Sequence, residues 1–333
     1  MSMLVVYTGG TFGMFDNGQG LEAATDLETD LAEMVQIAQV ATGVHPWRYV
    51  ALGEVIDSAD ADLDHALAIA ALLREGAAQA RGMVVVHGTD TLAYVASVSA
   101  FALRDLSIPI VFTGAQRSFR ETGTDATSNF LAAYEAASDG QAGVRIAFGG
   151  AILPAVRAVK RSSDEDAAFV DYRSASRRTL GVSTAHTHVP AASTTRSIDR
   201  DSVRPSVGLL RVFPGFSAEL LRAAIRLYPD GLVLECYGAG TAPMSSPGMY
   251  ETVVDAVNAR TPIVIVTQCQ TGAVQLGRYA VGAKLHQAGA WSGGDLTAEA
   301  ALAKLGVLAA NDLDWEQRRL TFAENLVGER IGR

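Results

Sequence analysis

The residues able to do chemistry lie in a few short polar segments. Thr8 and Thr11 flank Gly9 and Gly10 in "LVVYTGGTFGMF", at the end of an apolar run. His87, Gly88, Thr89, Asp90 and Thr91 follow "MVVV", Gln116 and Arg117 follow "IVFTGA", and Asp57, Ser58 and Asp60 follow "YVALGEVI". Lys160 lies beyond "IAFGGAILPAVRAV". It is one of three lysines among 27 Lys and Arg, the others being Lys284 and Lys304. A lysine alone among arginines invites a chemical role, because it can lose its proton when desolvated and arginine cannot. A coding bias toward arginine explains the same scarcity.

The glycine turn has two chemical readings. A phosphate cradle needs G-x-G-x-x-G, or G-x-x-x-x-G-K-[ST]. "TGGTFG" has neither spacing, and "YGAGTAP" (237–243) offers only two of the glycines. A nucleophile fits better: glycines leave backbone N–H groups uncovered, and a hydroxyl among them can reach a carbonyl. Such a hydroxyl needs a base or a strong field beside it. Thr89 next to Asp90, with Lys160 to take a proton, makes a Thr-Lys-Asp cluster opposite Thr11, a hydrolytic arrangement. Ordinary readings stand beside these. Thr8 and Thr11 suit helix caps, Asp90 suits the N-cap of a helix starting at Thr91, and Ser58 with Asp60 reads equally as a cap. His87 suits ordering its turn through hydrogen bonds. His186 and His188 lack a third ligand, so no metal is expected.

These segments need a scaffold. At 333 residues, 49% hydrophobic and 19% charged, the chain can bury a large core, and about two domains is the natural expectation. Apolar runs without strict alternation, each followed by a helix-compatible segment, predict an open, mostly parallel sheet covered on both faces. The fold class is α/β: a larger domain over 1–190, a linker over 191–210 in a polar stretch, and a smaller α/β domain over 211–333. Ser217 and Thr297 begin helices in the latter. Sites in such sheets form outside the carboxyl ends of the strands, where the polar turns fall. Asp16 to Asp26, rich in Gly, Asn and Asp, reads as a surface loop. A net charge of −9 and the lack of a basic stripe argue against nucleic acid. No apolar stretch is long enough to cross a membrane, and nothing basic precedes the first run, so a soluble cytoplasmic protein is expected. Cys236 and Cys269 read as small buried hydrophobes.

"YTGGTFGM" and "VVVHGTDTLAY" together resemble the two signature segments of the bacterial L-asparaginase family, amidohydrolases that use threonine. The resemblance continues through "VIDSAD", "PIVFTGAQ", the lysine of "VRAVK", "YGAGTAP" and the stretch from "TQCQTG" to "ALAKL", and it looks like the cytoplasmic type. It implies an asparaginase/glutaminase-like fold that hydrolyses L-asparagine to L-aspartate and ammonia. Thr11 would form the acyl-enzyme, with Thr89, Asp90 and Lys160 as the second catalytic group. Ser58 would hold the substrate's α-carboxylate and Asp90 its α-ammonium, with Asp57, Gly88, Thr89 and Gln116 also in the substrate-binding set. The resemblance further implies homodimers that pair into tetramers, with no metal or organic cofactor. Leu21, in the loop over the site, stands where relatives carry tyrosine, Thr241 where they mostly carry asparagine, and Ala59 and "TDATSN" also depart. A broader glutaminase-asparaginase, an ammonia-releasing subunit of a tRNA-dependent amidotransferase, and a turnover-impaired amino-acid-binding homologue are the alternatives.

Overall fold

The computed structural model describes residues 1–16, 18, 20–24, 26–173, 204–278 and 280–331, which fall into two compact units divided after Asp171. In the first unit the apolar runs become strands. β1 (Ser2–Gly9) is buried along its whole length. After it come β2 (Met14–Asp16), β3 (Leu21–Ala23), α1 (Glu28–Thr42), β4 (Trp47–Ile56) and α2 (Leu63–Ala77). Then follow β5 (Ala80–Val86), α3 (Leu92–Ala102), β6 (Pro109–Thr113), α4 (Ala126–Ser138), β7 (Gly143–Phe148) and β8 (Ala151–Pro154). The sheet order is β4-β1-β5-β6-β7-β8, parallel except for the β7–β8 pair. The expected open, mostly parallel sheet is therefore present.

That order decides where a site can form. The chain runs from β1 outward to β4, then crosses back over β1 to β5, so the direction of winding reverses between β1 and β5. A crevice opens at such a switch point beyond the strand carboxyl ends. Its two lips are the turn after Gly9 and the turn after Val86.

Helix placement adds a second constraint. α2 packs on α3, while α4 packs on α1, across the sheet. β5→β6 and β6→β7 step in the same direction, yet their helices lie on opposite faces, so the two crossovers have opposite hands. The general preference for right-handed crossovers makes the one through α4 the left-handed exception. It carries the segment 114–125 onto the α1 face, over the turn after β1. There Phe119 N donates to Phe12 O at 3.0 Å and Ser118 Oγ to Met14 O at 2.5 Å. Beneath it, Tyr7, Phe12, Leu27, Leu31, Phe130 and Tyr134 form a buried cluster. Each fully buried large apolar side chain contributes roughly 1.5–3 kcal/mol.

Two elements depart from the sequence reading. The span Asp16 to Asp26 is not all loop: Leu21–Ala23 pairs antiparallel with Met14–Asp16, opposing Asp16 to Leu21 and Met14 to Ala23. The run after β7 also turns back on itself at Gly149 and Gly150, both at positive φ, and makes β8. Beyond it, β9 (Val159–Lys160) pairs antiparallel with β10 (Phe169–Val170).

The second unit holds a parallel sheet in chain order, β11 (Val207–Arg211), β12 (Gly231–Cys236), β13 (Ile263–Thr267) and β14 (Trp291–Ser292). Its helices are α5 (Ala218–Leu227), α6 (Met249–Asn258), α7 (Ala280–Gln287), α8 (Ala298–Ala309) and α9 (Trp315–Ala323). Ser217 and Thr297 do cap α5 and α8, accepting from Leu220 N and Ala300 N. β11 begins at Val207, inside the span read as linker, while 191–203 of that span lies outside the described residues. Cys236 is buried, but Cys269 is exposed, correcting the expectation that both are buried. Cys269 falls after β13 has ended, outside the buried run Ile263–Thr267.

Candidate active site

Glycines let three turns meet at the switch point. Gly9 and Gly10 take φ values of +118° and +87°, which side-chain-bearing residues rarely adopt, and end β1 in the tight turn Thr11–Gly13. A Cβ on Gly10 would strike the Gly88 backbone, and one on Gly9 the Ile56 carbonyl oxygen. A Cβ on Gly88 would come 2.5 Å from Ser58 Cβ and 3.0 Å from Gly10 Cα. The turns bearing Thr11, Ser58 and Thr89 thus touch backbone to backbone, which is what gathers these three hydroxyl residues. Gly88→Ala should destabilise the protein by about 1–3 kcal/mol, the usual cost of overpacking. A lower denaturant midpoint at unchanged slope would register it, and an unchanged midpoint would show that the turns can part.

A buried hydrogen-bond chain ties the same turns together. The Thr8 hydroxyl lies 3.0 Å from Val86 O and 2.6 Å from His87 Nδ1. His87 Nε2 lies 3.3 Å from Thr91 Oγ1, and the Thr91 hydroxyl donates to Ser58 O at 2.9 Å. Thr8 spends its one proton on Val86 O and Thr91 its own on Ser58 O, so a neutral ring can donate to only one of the two hydroxyl oxygens, and the shorter contact of 2.6 Å makes Nδ1–H the donor to Thr8. Burial, with His65 adding to it, pushes the imidazole down to about 4, so it is neutral at pH 7. A histidine depressed from its ordinary 6.5 to about 4 contributes its full stability above pH 6.5. Between those values the unfolded chain takes up a proton that the folded chain refuses. Stability therefore falls as the pH drops from 6.5 to 4, by roughly 3 kcal/mol from this group. His87→Gln should show a correspondingly smaller loss of unfolding free energy between pH 7 and 4; equal slopes in parent and variant would contradict the buried neutral ring.

The second lip carries the charged cluster. Thr89 is buried at the end of the β5 turn. The β9–β10 ribbon, where Lys160 pairs with Phe169, brings the lysine in from a distant part of the chain. Phe169 is itself anchored edge-on against Phe148, ring centroids 5.0 Å apart. Lys160 Nζ donates to Thr89 Oγ1 at 2.8 Å and to Asp90 Oδ1 at 2.6 Å. The Asp90 side chain is 60% exposed and the Lys160 side chain 20%. Asp90 is not a helix cap, as one reading had it: α3 has Thr91 at its N-cap position, and the carboxylate is turned to Lys160 instead. Ser58 is buried, and its Oγ accepts from Asp90 N at 3.3 Å, leaving its own proton to donate elsewhere. Asp57 is the residue that caps, accepting from Ala59 N at 3.0 Å.

The loop after β6 is held by a residue that sequence reasoning passed over. Asp125, buried, accepts from Gln116 N, Arg117 N and Asn129 Nδ2 at 2.9–3.1 Å. Asn129 also donates to Gly114 O and accepts from Gly149 N. The visible signal was an Asp-Asn pair at i, i+4 at the start of a helix. Gln116 turns its amide to Glu165 O at 3.3 Å. The Thr11 hydroxyl has no hydrogen-bond partner among the described residues, and Thr11 itself is half-buried. The backbone of Leu21 lies in β3 opposite Asp16. Thr241, in the second unit, closes a tight turn back onto Tyr237. His186 and His188 lie outside the described residues. Among those described, no group of three or more His, Cys, Asp or Glu could hold a metal, and no helix is long and apolar enough to cross a membrane.

Hydroxyls, an amine and a carboxylate thus gather at the switch point of a doubly wound sheet, and a second α/β unit follows. Residues 2–193 match the N-terminal asparaginase domain, and residues 206–322 the glutaminase/asparaginase C-terminal domain. The chain is 32% identical over 335 residues to L-asparaginase 1 of Escherichia coli strain K12, covering 98% of this chain and 97% of that one. The solved thermostable L-asparaginase of Thermococcus kodakarensis superposes with a TM-score of 0.81 at 30% identity, covering all of both chains. L-asparaginase I of Vibrio cholerae gives the same TM-score at 26% identity over 99% of each. The chain belongs to the bacterial and archaeal L-asparaginase family, whose members are asparaginase/glutaminase amidohydrolases.

Proposed function

We propose that the protein hydrolyses L-asparagine to L-aspartate and ammonia through an acyl-enzyme on Thr11. The observation that carries this reading is the Lys160 amine held on both Thr89 Oγ1 and Asp90 Oδ1, beside the glycine contact that brings the Thr11 turn to them. Asparagine presents a zwitterionic head and a neutral amide. The spare proton of Ser58 suits the α-carboxylate, and the exposed Asp90 carboxylate suits the α-ammonium. The amide carbon is then left facing the Thr11 turn.

Thr11 Oγ attacks that carbon and the C–N bond breaks. The hydroxyl proton leaves on the amine, giving ammonia and an ester on Thr11. Backbone N–H groups of Gly88 and Thr89 are suited to the charge that builds on the carbonyl oxygen. Water aligned by Thr89, whose oxygen is steadied by the Lys160 charge, adds to the ester and releases aspartate with the Thr11 proton restored. Gln116 and Asp57 complete the pocket rim. We further place the enzyme in the cytoplasm as a homodimer or homotetramer, an assembly that light scattering would size.

The deciding experiment measures steady-state ammonia release by the purified chain with L-asparagine and L-glutamine side by side. Release with asparagine preferred supports the proposal. Equal rates would indicate a broad glutaminase-asparaginase, and none with either amide would leave a binding homologue or an amidotransferase subunit.

A further inference from the structure

We infer that Tyr7 is a positioning residue for the nucleophile turn, its hydroxyl a donor held in reserve against Gly13. The inference rests on the amidohydrolase reading above and extends it to a residue that touches neither the charged cluster nor the substrate groups.

Tyr7 has no solvent exposure, and its hydroxyl has no hydrogen-bond partner among the described residues. A buried tyrosine hydroxyl usually finds one. Tyr49, on the neighbouring strand and the same sheet face, shows the usual case: its hydroxyl accepts from Leu27 N at 3.1 Å. Burial, with Tyr49 adding to it, drives the Tyr7 phenol far above its ordinary range, so it stays a donor at any working pH.

The phenol lies directly under the turn. A Cβ on Gly13 would come 2.5 Å from Tyr7 Oη, 3.0 Å from Tyr7 Cζ and 2.5 Å from Leu27 Cδ1. Gly13 is two residues beyond Thr11. Every carbonyl of the turn already holds a donor: Gly10 O from Gly13 N, Thr11 O from the Met14 amide, and Phe12 O from Phe119 N. Gly13 O accepts from Ala24 N and Met14 O from Ser118 Oγ. The resting turn therefore gains nothing from the Tyr7 hydroxyl, and a phenylalanine ring would fill the same space. The hydroxyl matters in a state where the turn has shifted, as when Thr11 carries the acyl group. There it can donate to the free lone pair of a turn carbonyl and keep the Thr11 oxygen in line.

Tyr7→Phe tests this, because it removes the hydroxyl and keeps the ring. Thermal stability should be equal or higher, since no resting hydrogen bond is lost. With asparagine, kcat should fall by about tenfold or more while KM stays within about twofold. Gly13→Ala supplies a second readout: its methyl collides with Tyr7 Oη, so it should cost less kcat in the Tyr7→Phe background than in the parent. An active parent with kcat unchanged in Tyr7→Phe would overturn the role of Tyr7 and leave the amidohydrolase reading standing. A parent that releases no ammonia would remove both. A Tyr7→Phe protein with a lower unfolding temperature would show a partner in the resting state and overturn the reserve-donor account.

Discussion

Thr11→Ala is expected to abolish measurable hydrolysis of asparagine, lowering kcat by roughly 10^4-fold or more, as loss of a covalent nucleophile does. The residue lies on the far side of the glycine contact from Thr89, in a turn clamped by Phe119 and Ala24. Its hydroxyl has no partner among the described residues, so none of their hydrogen bonds is lost with it. Stability should therefore change by only about 0.5 kcal/mol. Single-turnover assays and denaturant unfolding on the same preparation separate the two effects. Turnover within about tenfold of the parent would remove Thr11 from the nucleophile role, because residual catalysis by binding and oxyanion donors is far smaller.

Lys160→Met should follow, with kcat lowered by roughly 10^2- to 10^3-fold, the usual cost of removing one preorganised charged donor. Methionine keeps much of the stem but loses both contacts of Nζ, at 2.8 Å to Thr89 Oγ1 and 2.6 Å to Asp90 Oδ1. Two consequences follow together. The Thr89 oxygen loses the cation that steadies it, and Asp90 loses the group that orients it. KM for asparagine should therefore rise as kcat falls. Lys160→Arg should not restore activity, since a planar guanidinium cannot occupy the compact position between the two oxygens. The folding cost is expected to be small because the Asp90 carboxylate is 60% exposed and the pair is screened by water. A large drop in unfolding temperature would mean that the lysine is structural. Full activity in Lys160→Met would remove it from the second catalytic group.

Much of this was visible in the linear order of residues. Parallel strands buried on both faces need continuous apolar runs, so "LVVYTGG", "MVVVHGTD" and "IVFTGA" declare themselves by composition. The polar residues that end each run then fall at one edge of the sheet. The caps at Ser217 and Thr297 were legible for a similarly local reason, since a cap bonds only within its own first turn. The resemblance to the family rests on the same short segments.

What stayed hidden depends on contacts between distant residues. One exception is local: Leu21–Ala23 pairs with Met14–Asp16 only a few residues back, in a stretch whose composition favours a loop. Asp125, nine residues from Gln116, shows its value only once the loop between them closes. The spare hydroxyl of Tyr7 looks like any core tyrosine until its lack of a partner is seen. The amino-acid order by itself thus determined the strands, their carboxyl-end turns and the residue types able to attack an amide. Only the tertiary structure decided that Gly10 meets Gly88 and that Lys160, 70 residues beyond Asp90, reaches it across a separate ribbon. Strand burial is set by each segment's own side chains, whereas strand order, crossover hand and the approach of turns come from packing the whole sheet.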